Sequence, residues 1–229
     1  MCSSYEDFLR RLNQYRQRLN MTQEETSRAL GITQSQFSKM ELGKTIMPYK
    51  ALAHLIGMGW DVDYLITGKD TSRKVSELRK VVMRAEEEYR PKLLDAIAWM
   101  LRQGLDKRAS ELDFETKCEI EILKMRANGR PSDSVLYVIR KIADMAQIPM
   151  AEKLGVNIKK YRMLEKNEAN PDAELLSRIY EVTGCKPSLL INYDDIENVV
   201  IDDLWSQIAL PVQSQILFLT EQLLWLIRM

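Results

Sequence analysis

Apolar positions recur at three- and four-residue spacings along nearly the whole chain, and strict alternation of the strand type is scarce. This pattern predicts an all-α protein. The stripe Phe8, Leu9, Leu12, Tyr15 and Leu19 marks a first helix, starting at Ser4 with Asp7 at the capping-box position. Thr22-Gln-Glu-Glu25 is a second capping box and opens a short helix that ends at Leu30-Gly31. Thr33-Gln-Ser-Gln36 is a third; its helix runs to about Leu42, and Gly43 breaks it. Pro48 suits a helix start, where a missing N–H costs nothing, and introduces a fourth helix over Tyr49 to Met58. A fifth covers Asp63 to Thr67 and stops at Gly68.

Only Gly31 and Ile32, with the cap Thr33, separate the second helix from the third, so the chain must turn sharply between them. Gly31 provides the backbone angle that such a turn needs. The third helix then exposes Gln34, Ser35, Ser38 and Lys39 while Phe37 and Met40 point inward. A glutamine amide matches the N6/N7 edge of adenine, and a lysine matches O6/N7 of guanine. For a lone helix the plainer reading is a solvated face. The five-helix context favours base readout.

With these features in place, residues 8–68 resemble the phage-repressor (Cro/C1, or xenobiotic-response-element) family of helix-turn-helix domains. The resemblance rests on LNMTQEETSRALGITQSQFSKMELGKTIMP, with Gln23, Ser27 and Gly31 at four-residue spacing, Ile32-Thr33-Gln34, and Glu41-Leu-Gly-Lys44. Ser27 stands where the family usually has Ala. The resemblance implies that Gln23 holds a DNA phosphate and braces Gln34, the first residue of the recognition helix. By the same resemblance Gln34, Ser35 and Lys39 read base edges, Gly43, Lys44 and Thr45 approach the DNA backbone, and Arg16 and Glu41 form a structural ion pair.

An internal repeat lies at an offset of 124 positions without a gap. Arg16 falls on Arg140, Met21 on Met145, Gln23 on Gln147, Leu30-Gly31 on Leu154-Gly155, Glu41 on Glu165, Leu52 on Leu176 and Leu65 on Leu189. Ile32, Phe37 and Met40 become Val156, Tyr161 and Leu164. These matches occupy the turn, the bracing glutamine, the charged pair and the core, so residues 134–192 read as a second domain of the same kind. The exposed positions differ. Ile158, Lys159, Arg162, Met163 and Glu168 stand for Gln34, Ser35, Ser38, Lys39 and Lys44. The second helix of this type is more basic (Lys159, Lys160, Arg162, Lys166) and poorer in base-reading amides. It is either a second DNA reader with another sequence preference or a divergent copy kept for packing; lysine and arginine suit phosphate in the first case.

Between the copies, Ser72 to Glu88, Pro91 to Gln103 and Asp113 to Asn128 read as helices, and Asn128-Gly129-Arg130-Pro131-Ser132 as the clearest boundary. Arg73, Lys74, Arg79, Lys80 and Arg84 form a basic run, which is more often a solvated face than a DNA contact. The tail from Ile196 predicts two helices separated by Pro211; Ile216-Leu-Phe-Leu219 and Leu223-Leu-Trp-Leu-Ile227 are apolar almost all round, and such a helix needs cover on more than one side.

Composition narrows the function. The 33 basic and 33 acidic residues cancel, so any nucleic-acid face is a local patch. Cys2, Cys118 and Cys185 fit neither a disulfide framework nor a zinc spacing and point to a reducing compartment. His54 is the one histidine and reads as a packing or rim residue. Phosphate-cradling glycine motifs and Cys/His clusters are missing, so neither an enzyme, a metal nor a cofactor is expected. The N-terminus is not of signal-peptide type, and Leu204 to Thr220 is a poor membrane span.

The expectation is therefore all-α: two lambda-repressor-like five-helix domains joined and followed by additional helices. Residues 1–70 form the first helix-turn-helix domain, 71–131 a helical connector, 132–195 the second, divergent domain, and 196–229 apolar helices for packing or dimerisation. The protein reads as a cytoplasmic, sequence-specific regulator of transcription of repressor type, a homodimer binding double-stranded DNA away from any membrane. Its DNA-binding residues are Gln23, Thr33, Gln34, Ser35, Ser38, Lys39, Lys44, Thr45, Gln147, Lys159, Lys160 and Arg162. The alternative is a protein-interaction adaptor or an antitoxin-like regulator on the same scaffold.

Overall fold

The structure is a computed structural model that describes residues 4–70, 74–106, 111–128, 134–191 and 196–227. All regular structure among these residues is α-helical. The N-terminal helices are α1 (Ser4–Arg18), α2 (Gln23–Ala29), α3 (Gln34–Glu41), α4 (Tyr49–Gly57) and α5 (Val62–Thr67). Local chemistry sets their ends. The Thr22 hydroxyl accepts the Glu25 N–H while the Glu25 carboxylate accepts the Thr22 N–H, and Thr33 and Gln36 repeat the arrangement for α3. Each box satisfies backbone donors that a helix start otherwise leaves open.

Phe8, Leu12, Phe37, Met47, Leu52, Leu55 and Leu65 are fully buried and tie these helices together. The Arg11 guanidinium donates to the carbonyls of Leu65 and Ile66, both at 2.7 Å, and so closes the end of α5 against α1. Tyr5 stacks on Phe8 with centroids 5.5 Å apart, and its hydroxyl accepts the Met47 N–H at 3.1 Å. Burial, the largest influence, pushes the Tyr5 phenol pKa above its ordinary value, so it stays a neutral hydroxyl there.

The remaining helices are α6 (Glu77–Val82), α7 (Arg90–Gly104), α8 (Phe114–Ala127), α9 (Val135–Ile142), α10 (Gln147–Lys153), α11 (Ile158–Glu165), α12 (Ala173–Thr183), α13 (Ser188–Ile191), α14 (Ile196–Ser206) and α15 (Leu210–Ile227). The chain divides into two compact units, one holding residues 1–72 and 147–192, the other 73–146 and 193–229. In the first, α12 packs on α1 and α5, and α13 on α4. In the second, α8 packs on α7, α9 and α14, while α15 lies across α6 and α7. Gly104 permits that approach: a Cβ there would stand 3.0 Å from Ile216 Cδ1 and 3.1 Å from Ile208 Cδ1.

One expectation changes. The helix read over Ser72 to Glu88 shrinks to Glu77–Val82. Ser76 caps it by accepting the Arg79 N–H, and the buried Asp202 accepts the Ser76 N–H at 2.9 Å, which pins the start. Continuing it would carry Glu86, Glu87 and Glu88 to a helix C-terminus, where negative charge is unfavourable. The basic run is largely neutralised: Arg79 pairs with Asp202, Lys80 with Glu77 and Arg84 with Glu221, while Lys74 is exposed. Ser72, Arg73 and the boundary residues 129–132 lie outside the described residues, as does Cys2. Cys118 and Cys185 are buried.

The 124-residue offset recurs in the backbone. Helices α10, α11 and α12 start at Gln147, Ile158 and Ala173, each 124 positions after the starts of α2, α3 and α4. Gly31 and Gly155 hold φ of +67° and +64°, and the positive angles of Asn20 and Gly43 return at Asp144 and Asn167. Lys44 N–H donates to the Lys39 carbonyl at 2.8 Å and Glu168 N–H to the Met163 carbonyl at 2.8 Å, so the chain leaves α3 and α11 through the same turn.

Candidate nucleic-acid interface

Buried Thr26 and Ser27 let α2 lie close on α3, and the chain reverses between them through Gly31. The Ile32 N–H reaches back to the Ser27 carbonyl at 3.0 Å, fixing the angle between the two helices. Phe37, fully buried, anchors the inner side of α3. The outer side carries Gln34, Ser35 and Lys39, all exposed, and the half-buried Ser38; Thr33 at the cap is exposed too. Every one of these side chains except Lys39 is uncharged, and Glu41, the acid on α3, is turned inward and paired.

A four-residue network lies behind this face. Arg16 Nε donates to Glu41 Oε1 at 2.8 Å, Gln23 Nε2 donates to Glu41 Oε2 at 2.6 Å, and Gln34 Nε2 donates to Gln23 Oε1 at 3.0 Å. The Arg16 and Glu41 side chains are only 11% and 3% exposed, so the pair is largely removed from water. Arg16 Nη1 also donates to the Met21 carbonyl at 2.7 Å, which ties α1 to the start of α2. Glu41 thereby orients Gln23, and Gln23 orients Gln34 at the tip of α3. An amide nitrogen has two donors, and Gln23 uses one on Glu41. The expected bracing of Gln34 by Gln23 is present in this geometry.

Lys44 and Thr45 follow α3 and are exposed. Their backbone N–H groups both donate to the Lys39 carbonyl, and Gly43 N–H donates to Met40. Side chains, not these amides, are what this turn presents outward. Gly43 holds φ +69°, a conformation glycine adopts without strain, and a Cβ on it would meet Leu9 Cδ1 at 2.7 Å, so the end of the Leu9 side chain would have to shift.

Two bonds of this network recur at the matching positions further along. Gln147 Nε2 donates to Glu165 Oε2, and Arg140 Nη1 to the Met145 carbonyl at 2.9 Å. The brace at Gln147 Oε1 now comes from Arg162 Nε at 3.3 Å, because Ile158 replaces the glutamine at the head of the helix. Lys159, Lys160, Arg162 and Lys166 are exposed along α11, with Tyr161 fully buried beneath them. Glu41 and Glu165 as acceptors for the glutamines were legible only in the shared 18-residue spacings from Gln23 and Gln147. The lone His54 is exposed on α4. No group of metal-binding side chains occurs among the described residues, and no helix among them is long and apolar enough to cross a membrane.

Residues 10–81 match the family described as a helix-turn-helix domain. The match starts within α1, spans α2 to α5 and ends in α6, so it contains the turn, the braced Gln34 and the buried pair. Comparison with curated proteins and with solved structures finds no match. Residues 10–81 are thus similar to helix-turn-helix domains.

Proposed function

We propose that the protein is a cytoplasmic, sequence-specific DNA-binding regulator of transcription, of repressor type, that places α3 in the major groove. The observation that carries this reading is the relay from the buried Arg16–Glu41 pair through Gln23 to Gln34, which holds an exposed amide at the helix tip in one orientation. Preordering a side chain for a base edge lowers the entropy that binding must overcome. Gln34, Ser35, Ser38 and Lys39 read base edges, Thr33 and Gln23 face phosphate at the helix start, and Lys44 and Thr45 reach the backbone through their side chains. We read the segment 134–191 as a divergent second copy of the same domain, supported by the recurring helix starts, positive φ angles and glutamine–glutamate bonds. Gln147, Lys159, Lys160 and Arg162 are its DNA-facing residues.

The chain is further read as a homodimer through α15. Ile216, Thr220 and Leu224 are buried, whereas Phe218, Leu219, Trp225 and Leu226 are 49–63% exposed on the other side. Beside them, Trp99, Met100, Leu219 and Leu223 line an open groove. An exposed apolar patch of this kind usually marks an interface. Glu221, the charge on the described part of α15, is held by Arg84, so two such faces meet without like-charge repulsion.

The test is a gel shift with selected genomic fragments across a salt series. Sequence-selective binding that weakens as salt rises supports the reading. Gln34→Ala is expected to lose roughly 1–3 kcal/mol of discrimination at particular base pairs. Lys44→Ala should weaken all sequences alike and lower the salt slope by about one. Salt-insensitive capture of a protein and no DNA would favour the adaptor or antitoxin-like reading. Light scattering on the intact chain and on Trp225→Lys checks the dimer.

A further inference from the structure

In the repeat register α12 corresponds to α4 and α13 to α5. The contacts of α12 with α5 and of α13 with α4 are therefore the same contact made twice with the roles exchanged. For these two helix pairs that reciprocity is what a local two-fold gives, here formed inside one chain, with the packing of α1 on α12 standing outside it. The interface is well sealed. Ala173, Leu176 and Ile191 are buried within the core built by Phe8, Leu52, Leu55 and Leu65. The buried Asp63 carboxylate accepts the Ser188 N–H at 2.7 Å and its hydroxyl at 2.6 Å. Ala173 N–H donates to the Met47 carbonyl at 3.0 Å, and the Tyr49 hydroxyl donates to the Ile191 carbonyl. Helices α12 and α13 are thus part of the same packed body as the first domain, and α11 belongs to that compact unit.

The two outward helices of that unit carry different chemistry. α3 offers Gln34, Ser35 and Lys39, groups able to distinguish base edges. α11 offers Lys159, Lys160, Arg162 and Lys166 with Ile158 and Met163 where the amide and the lysine of α3 stand. Arg162 is drawn onto Gln147, and the Lys160 ammonium lies 3.9 Å from Asp172, which leaves Lys159 and Lys166 as the charges of this face that no acid among the described residues holds. Point charges of this sort suit phosphate oxygens and carry little sequence information.

We propose that the two copies act as a built-in, unequal pair on a single duplex: α3 reads the bases of one half-site, and α11 grips the sugar-phosphate backbone of the neighbouring turn. The inference rests on the reading of α3 as a DNA reader and adds what stands beside it. The specific sequence that each chain reads is then confined to one half-site, whether or not a second chain joins through α15, and the adjoining stretch is required for its length and charge, not its bases. A separate copy of the chain is not needed to supply the second grip.

The experiment uses the full chain and a duplex carrying the sequence it selects, first cut to the half-site and then extended on either side by one turn of arbitrary sequence, ~10 base pairs. Extension on one side is expected to raise affinity at least about tenfold, because the second contact becomes intramolecular. Scrambling that arm should leave affinity unchanged. Lys159→Ala/Lys166→Ala should abolish the gain and lower the salt slope by about two, while the preferred half-site sequence stays the same. Lys159→Arg/Lys166→Arg should restore both. Both lysines are exposed, so the fold tolerates these changes. Selective binding that gains nothing from either arm, or a gain that survives the double alanine variant, overturns the unequal pair and leaves the reading of α3 standing. A change of preferred sequence in the α11 variant overturns the division of labour. A wild-type chain that binds no duplex at low salt overturns the reading of α3 and this inference together.

Discussion

Arg16→Met is the most direct probe of the relay behind α3. It keeps the length and apolar stem of the side chain and removes the charge. Glu41 Oε1 then loses its 2.8 Å partner, and the Glu41 carboxylate, 3% exposed, is left with the Gln23 amide as its donor. Stranding one partner of a pair this deeply buried typically costs ~3–5 kcal/mol. Native-state hydrogen exchange reads the effect locally: amides of α1 to α5 should lose protection by a factor between about one hundred and a few thousand. Amides of α7 and α8, in the other compact unit, serve as the internal control and should not change. The double variant Arg16→Met/Glu41→Gln removes the stranded charge yet leaves an oxygen for Gln23, and should recover more than half of the loss. If Arg16→Met lowers protection less than about fivefold, the pair behaves like an exposed ion pair, worth at most ~1 kcal/mol. The claim that it anchors Gln23 and Gln34 would then fail.

Gly43→Ala forces a side chain into a left-handed conformation at φ +69° and against Leu9 Cδ1. A loss of ~1–2 kcal/mol from the backbone alone is expected, read as a lowered melting temperature. Glu25 accepts both the N–H and the hydroxyl of Thr22 at 2.8 Å, and these bonds, the backbone one first, hold its carboxyl below the usual glutamate value. Its contribution to α2 is therefore complete above the unfolded-state pKa and fades as pH falls through the lower folded-state pKa. A carbon-detected NMR titration of Glu25 should show the depressed midpoint, and Thr22→Ala, which removes the hydroxyl and keeps the N–H, should raise it only part of the way. Asp63→Ala removes the acceptor for the buried Ser188 N–H and hydroxyl, at a cost of ~1–3 kcal/mol; faster amide exchange across α13 with α7 unaffected is the expected result.

The first five helices were legible because their signals are local. Thr22–Glu25 and Thr33–Gln36 act over three residues, and Gly31 and Gly43 act at single positions, so a reader of the chain sees what the folding chain feels. The outward face of α3 was legible for the same reason, since helical periodicity alone separates Phe37 from Gln34, Ser35 and Lys39. The start of α6 was not, because it depends on Asp202, 126 positions away from Ser76. The bond from Asp63 to Ser188 was equally invisible: a polar residue that will be buried looks like any other polar residue until its partner is in place. Periodicity also reveals that a residue is buried without revealing against what. Leu176 falls on the core position of Leu52, and the structure buries it in the same cluster as Leu52 itself.

On the proposed duplication, what the two segments share and what they do not share argue for different pressures on the buried and exposed parts. The recurring positions are those that the backbone demands: the positive φ angles at Gly31 and Gly155, the glutamine–glutamate bonds, and the helix starts. A copy maintained only to cover apolar surface needs its inner residues and is indifferent to its outer ones, which would then drift toward any soluble mixture. Along α11 the exposed replacements are instead mostly of one sign, at Lys159, Lys160, Arg162 and Lys166. Clustered like charges repel one another and destabilise a helix by a few tenths of a kcal/mol per close pair. They persist at a small cost to the fold, which is what a surface held for a polyanionic partner requires. Glu168 runs against this trend where Lys44 stands in the first copy, and it separates the two readings cleanly. Restoring the cation with Glu168→Lys should tighten binding to every duplex and steepen its salt dependence by about one unit if α11 lies on phosphate. It should leave binding unchanged if α11 faces solvent alone.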